Sequence, residues 1–306
     1  MGAWQTRRAV AFAPSHVTGL FSPTKEARDP RGRGSVGAGV VLELGVRATG
    51  EFLPGARTRF RLTSDIGRRL EISEDAGRRL LGHRAGHLHV HLTHDLPIGQ
   101  GFGSSAAGAT ATALVTARLL GISRDHAVEV AHLCDLFGGG GLGGVAAILG
   151  GGWEVRVRPG IPPYGRIVHR PFPDPLLVGV VGGSLPSPSI LSSPRLLGRI
   201  RKAAEGLEEL GTRSTPEEFL SLSERFTDRV GFASSDLRTV LSALRRRGAR
   251  AAQAMFGRSF FAVAPTPSVR RAILDWLEAR GVRAVEIRAA RRGAHLGIAP
   301  GGELGA

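Results

Sequence analysis

Cysteine is nearly missing from these 306 residues, lysine is scarce and asparagine does not occur. A lone Cys134 can neither close an intramolecular disulfide nor build a cysteine-rich zinc site, which excludes cysteine chemistry as a theme. Lys25 and Lys202 stand against 39 arginines, and with only three glutamines the chain fits a thermophilic source that avoids heat-labile amides, although GC-rich coding favours the same arginine bias. One tyrosine and three tryptophans offer few platforms for stacking bases. The net charge of +15 therefore points to solvated faces or a small anionic ligand, and no nucleic-acid partner is expected. Apolar runs are cut by glycine or charge well short of the ~20 residues that cross a bilayer, and the first residues hold no apolar signal core. The expectation is a soluble, cytoplasmic protein with no membrane association. Met1, Gly2 and Thr6 fit the myristoylation pattern, which is too permissive to carry weight. What remains, 42% hydrophobic residues in a chain of this length, is enough for a real core in one large or two intimate domains and excludes a disordered or fibrous chain.

Along the chain, Ala9–Ala13 and Gly39–Thr49 read as strands joined by a Pro/Gly/Arg-rich connection from Ser22 to Gly34. From Gly86 to Leu92, histidines at 87, 89 and 91 alternate with Leu88, Val90 and Leu92, the period of a half-buried strand. With His94 these histidines suggest either a metal site or a polar outer face, and the outer face is the preferred reading. A helix follows Ser105 to Leu120, and another runs from its cap Ser123 to Phe137, ahead of a glycine run at Gly138–Gly144. Trp153–Val157 reads as a strand. The Pro/Gly-rich segment Pro159–Pro175 marks a boundary near residue 160, dividing the chain into 1–160 and 161–306. Beyond it, strands at Leu176–Val181, Ser259–Ala264 and Val282–Ile287 mix with helices at Ser189–Leu210, Pro216–Val230, Ser235–Arg247 and Thr266–Arg280, an α+β pattern. The tail beyond Pro300 reads as loosely held.

Chemistry concentrates between Pro97 and Ser105. A glycine-rich loop entering a helix offers unpaired N–H groups and the positive end of the helix dipole, so phosphate is its natural ligand. The loop lacks the lysine of the Walker pattern, and no lysine sits where a protein kinase would need one. Ser104 stands where a dinucleotide fingerprint requires glycine, and no strand follows the helix.

Pro97-Ile98-Gly99-Gln100-Gly101-Phe102-Gly103-Ser104-Ser105-Ala106-Ala107 closely resembles the P-x-G-x-G-L-G-S-S-A-A motif of the GHMP kinases, with Phe102 in place of leucine. Ala13-Pro14-Ser15-His16-Val17-Thr18-Gly19-Leu20-Phe21 is similar to their first motif. Within that superfamily the pattern resembles the archaeal pantoate kinases: A-P-x-H-I-T-G-F-F, G-S-R-G-A-G, A-H-x-x-E and T-G-L-G-D-V match stretches beginning at Ala13, Gly34, Ala131 and Gly140. A segment from Met255 to Ala262 is similar to their C-terminal M-L-G-x-T-x-F-A. Three positions depart: Val36 replaces arginine, Asp135 replaces glutamate and Gly144 replaces the aspartate beside the transferred phosphate.

The resemblance implies a ribosomal-protein-S5-like N-terminal domain, a ferredoxin-like C-terminal domain and an active site between them. It implies ATP and Mg2+ as cofactors, a homodimer, and phosphorylation of pantoate to 4-phosphopantoate in archaeal coenzyme A synthesis. Pro97, Gly99, Gly101, Gly103, Ser104, Ser105 and Ala106 would bind the nucleotide, and Ser105 with Asp135 would hold the metal. His16 would meet the substrate and orient or deprotonate its hydroxyl, with a hydrogen-bonded loop histidine as the alternative. His132 would face the site or pack. Ser35, Gly37, Arg28 and Arg258 stand as substrate contacts, the two arginines being chosen among many. Two other readings stay open: a GHMP kinase for a different alcohol, and an ATP-binding homologue that Gly144 has left inactive.

Overall fold

Aliphatic and β-branched residues two apart dominate the start of the chain and form two long antiparallel strands, β1 (Arg7–Pro23) and β2 (Ser35–Pro54), paired from Arg7 opposite Phe52 to Pro23 opposite Ser35. The computed structural model describes residues 5–24, 27–172, 175–183, 187–206, 210 and 213–297. The tail beyond Pro300 and the Met1–Gly2 pattern lie outside them. Register shifts at Pro14/His16 and Thr18/Leu20 break the ladder of β1 around the first motif, which is therefore strand and not loop. Bulges of this kind re-aim side chains next to sites.

The ladder continues through β3 (Thr58–Ser64), which reaches the parallel strand β4 (Gly86–His94) by way of α1 (Glu71–Leu81). Neither β3 nor α1 was expected from the sequence. Gly77 in α1 is buried against Phe60, whose ring a β-carbon there would overlap. Alanine gains about 1 kcal/mol in helix propensity but overpacking costs about 1–3 kcal/mol, so Gly77→Ala is expected to lower the urea midpoint at an unchanged m-value.

Helices α2 (Ser104–Leu120), α3 (Arg124–Phe137) and the short α4 (Gly144–Ala147) precede strands β5 (Trp153–Arg158) and β6 (Arg166–Arg170). Ser123 caps α3 as its sequence predicts, accepting from the His126 N–H. The second half holds β7 (Leu176–Val180), α5 (Ser187–Leu191), α6 (Pro194–Ala203), α7 (Pro216–Val230), α8 (Ser235–Arg246), β8 (Arg250–Gln253), β9 (Ser259–Val263), α9 (Pro267–Glu278) and β10 (Arg283–Ile287). The helix expected over Ser189–Leu210 is broken where Ser193 accepts from the Leu196 N–H and Pro194 opens a new helix.

Strands β7 to β10 form an antiparallel sheet in the order β10-β7-β9-β8, with helices following β7 and β9, the ferredoxin-like arrangement. The larger sheet runs β11-β1-β2-β4-β3, where β11 is His295–Gly297, and β5 joins β2 and carries β6 at its edge. Strands β6 and β11 thus come from beyond residue 160 yet complete the first sheet. The fold is α+β. One core lies between the larger sheet and α1–α3, and a second joins the two halves, with Phe219 of α7 stacked on Phe261 of β9 and tilted against Trp153 of β5. No helix among the described residues is long and apolar enough to cross a membrane.

Candidate active site

Helix α2 begins at Gly103, whose left-handed φ of 67° follows similar values at Gly99 (75°) and Gly101 (77°). Only glycine takes these conformations without strain, and the loop they shape brings the first turn of α2 to the mouth of a cleft. Ala107 is the first residue of the helix to donate to a backbone carbonyl, that of Gly103. The N–H groups of residues 104–106 lie N-terminal to it, where a helix leaves its donors for an anion. Gln100 ties this loop to the second half: its side-chain amide donates to the Gly182 carbonyl at 3.0 Å, and the Ser259 hydroxyl donates to its backbone carbonyl.

The cleft between the two halves holds a cavity of about 90 Å3. Its walls are His16, Thr18 and Phe21 of β1, Ser35, the start of α2, Asp135 of α3, the glycine run, and Arg156 of β5, with Leu191, Met255 and Phe256 contributed by the second half. Of the expected phosphate-loop residues, Gly103, Ser105 and Ala106 face it. Ser104 and Ser105 line an adjoining cavity of about 250 Å3 with Arg68, Arg69, Ile72 and His94, so the two spaces meet at Ser105. Pro97 is exposed, and Gly101 backs against the Ala254 carbonyl.

Ser105 and Asp135, thirty residues apart in sequence, meet here: the Ser105 hydroxyl donates to Asp135 Oδ1 at 2.8 Å. Burial pushes the Asp135 carboxyl up to about 6, against the lowering effect of that hydrogen bond. The glycine run exists to let backbone pass this pair. A β-carbon at Gly140 would overlap both the Asp135 carboxylate and the Ser105 hydroxyl, and one at Gly144 would lie 2.6 Å from the Ala106 β-carbon. Among the described residues Asp135 is the one carboxylate on the cleft wall.

His16 is buried and holds three contacts. Its backbone N–H donates to the Phe102 carbonyl at 3.0 Å, its Nε2 lies 2.9 Å from Glu154 Oε1, and its Nδ1 lies 3.3 Å from Thr18 Oγ1. Burial lowers the imidazole pKa below its ordinary value, more than Glu154 raises it. Glu154 in turn forms a close ion pair with Arg156, and both are buried.

Arg156 was not singled out from the sequence, and neither was Glu154. The two arginines chosen there stand elsewhere: Arg28 is exposed in the first connection and Arg258 is exposed beside Gly182, neither on the cleft wall. Composition carries no direction, and only the pairing of β5 with β2 turns Arg156 inward. Gly37 stands behind the cleft, where a β-carbon would meet the Leu20 carbonyl at 2.5 Å, whereas Ser35 lines it. His132 packs, 3.4 Å from the Pro30 carbonyl. Among the histidines of β4, His89 and His91 each lie 2.9 Å from Thr63 Oγ1 and His94 pairs with Asp65. No group of three metal-ligating side chains gathers among the described residues.

The family profile described as GHMP kinases N terminal domain matches residues 70–152, the span from α1 through the phosphate loop and Asp135. A pantoate kinase of Methanospirillum hungatei is 30% identical over 84% of this chain and 87% of its own length. The chain belongs to the GHMP kinases. A pantoate kinase of Thermococcus kodakarensis is 31% identical over 74% of this chain and 77% of its own. A solved structure described as a phosphotransferase related to the CoA biosynthesis pathway superposes with a TM-score of 0.85 at 26% identity, covering 95% of this chain and 99% of that one. The solved structure of L. major mevalonate kinase in complex with R-mevalonate, at 15% identity and a TM-score of 0.64 over 95% of this chain and 98% of that one, shares the fold.

Proposed function

We propose that this GHMP kinase transfers the γ-phosphoryl group of ATP to the primary alcohol of pantoate, forming ADP and 4-phosphopantoate for coenzyme A synthesis. The observation that carries this reading is Arg156: a buried guanidinium lining the same cleft as the Ser105–Asp135 pair suits an acceptor that is a small carboxylate. The relatives named pantoate kinase support the same substrate.

In this reading residues 1–160 bind ATP and residues 161–306 close the cleft over it. The triphosphate lies along the α2 N-terminus, and the rest of the nucleotide extends into the cavity that opens at Ser104 and Ser105. Two hard oxygens in contact, one of them from a buried carboxylate, fit Mg2+, and Ser105 with Asp135 would hold it. When bound, Mg2+ offsets the negative charge gathered on the β- and γ-phosphoryl oxygens. Phosphoryl transfer passes through a loose transition state, so holding the acceptor in line contributes most of what the chain's own residues must supply. Arg156 anchors the acceptor carboxylate and aims its alcohol at the phosphorus.

The second reading, an ATP-binding homologue without turnover, is favoured by Gly144. ADP release from Mg·ATP, measured at raised temperature against pantoate, pantothenate, homoserine, mevalonate and shikimate, separates the readings. Chelator-sensitive turnover with pantoate alone is expected. Turnover with another alcohol would discard the pathway, and ATP binding with no turnover would favour the second reading.

A further inference from the structure

Gly144 can take no proton from an acceptor alcohol, and the cleft wall offers another destination. Thr18 Oγ1, His16 Nδ1, His16 Nε2 and Glu154 Oε1 form a chain, with 3.3 Å between the first pair and 2.9 Å between the last. The chain starts at the cleft, where Thr18 is half-buried on the wall, and ends at Glu154, which is 0% exposed. Glu154 is ion-paired with Arg156, and a carboxylate in such a pair only accepts hydrogen bonds. The ring proton of neutral His16 therefore sits on Nε2 and is donated to Glu154, which leaves Nδ1 to accept from the Thr18 hydroxyl. Hydroxyl, imidazole and buried carboxylate in that order is an arrangement by which a hydroxyl gains proton affinity. His16 and Thr18 share one face of β1 at a spacing of two, between the two register shifts that interrupt the strand.

We propose that Thr18, His16 and Glu154 form a proton relay for the acceptor alcohol, with Thr18 the residue that touches it and the other two acting through Thr18. The relay rests on the kinase reading. As the acceptor oxygen bonds the γ-phosphorus, the P–O bond to ADP breaks and ADP leaves with its electron pair. The acceptor's proton passes to Thr18 Oγ1 while the proton of the Thr18 hydroxyl passes to His16 Nδ1, giving an imidazolium against the Glu154 carboxylate. That proton returns to water after product release. The charged and titratable groups around His16 are Glu154 and Arg156 on β5 and His169 on β6; burial lowers the proton affinity of the ring, and the hydrogen bond to Glu154 raises it.

Steady-state kinetics of the full chain with Mg·ATP and the acceptor found by screening, combined with 15N NMR of the His16 ring, tests the relay. Thr18→Val keeps the shape of the side chain and loses the hydroxyl. It is expected to lower kcat about 100-fold while both KM values stay within about threefold, and Thr18→Ser restores most of the rate. The wild-type ring is expected to carry its proton on Nε2, and Glu154→Gln to lose that single tautomer. An active wild type with a Thr18→Val variant within about twofold of its kcat overturns the relay alone, as does a ring protonated on Nδ1. A wild type silent with every acceptor overturns the kinase reading, and the relay with it.

Discussion

Asp135→Asn lowers kcat on the order of 100- to 1000-fold and at the same time stabilises the unliganded protein. Both effects come from one buried carboxylate, 3% exposed, that accepts a hydrogen bond from Ser105. Asparagine keeps the shape but offers Mg2+ a neutral oxygen, so turnover falls, and Ser105→Ala lowers it for the same reason. The stability effect has a defined pH window. Burial holds the native carboxyl at about 6 against an ordinary 3.8, so the native state binds its proton more tightly than the unfolded chain does. Below about pH 4 both states are protonated and the buried group costs nothing. The cost grows between about pH 4 and 6 and is complete above. Thermal unfolding in the presence of a chelator should show Asp135→Asn melting above wild type at pH 8 and level with it near pH 4. An offset independent of pH would contradict a desolvated carboxylate at this position.

Arg156→Leu is expected to be costly for a different reason. The leucine fits the space but leaves Glu154 buried opposite His16 with no cationic partner, and breaking such a pair costs about 3–5 kcal/mol. For a chain of this size that is a fall in Tm of roughly 10 °C. Replacing both Glu154 and Arg156 by leucine removes the orphaned charge, and the double variant should recover much of the lost stability, since apolar pairs often match buried ion pairs. Function does not recover with it. The acceptor carboxylate loses charge-assisted hydrogen bonds of about 1.5–3 kcal/mol, so KM for a carboxylate acceptor rises roughly 10- to 100-fold in any variant that folds. Calorimetric melting of the three proteins checks the first claim, and a KM for pantoate unchanged in the double leucine variant would contradict the second.

The phosphate loop, α2, α3 with its Ser123 cap and most strands were legible in the sequence because each depends on local signals: glycine at left-handed positions, a capping serine, a period of two or of 3.6. The Ser105–Asp135 contact followed from the resemblance, and no spacing rule would have produced it. What local signals hide is the cleft wall. In β5 the alternation sets Glu154 and Arg156 opposite Trp153, Val155 and Val157, which reads as a charged outer face. The strand is instead covered on both sides, because β2 and β6 flank it and the cleft and second core close over its faces. The element β3–α1 escaped for a related reason: Gly77, a poor helix former, is there to make room for Phe60. Arg28 and Arg258 could not be told from Arg156 until the sheet assigned each arginine a direction.

We expect this chain, with glycine at position 144, still to transfer phosphate to an alcohol. The most direct test is 31P NMR of purified protein with Mg·ATP and pantoate. We expect a phosphomonoester resonance that grows in step with ADP, splits through coupling to the C4 methylene protons, and stays absent when chelator is added. ATP that binds in the cleft and is returned unchanged with pantoate and every other alcohol would contradict it.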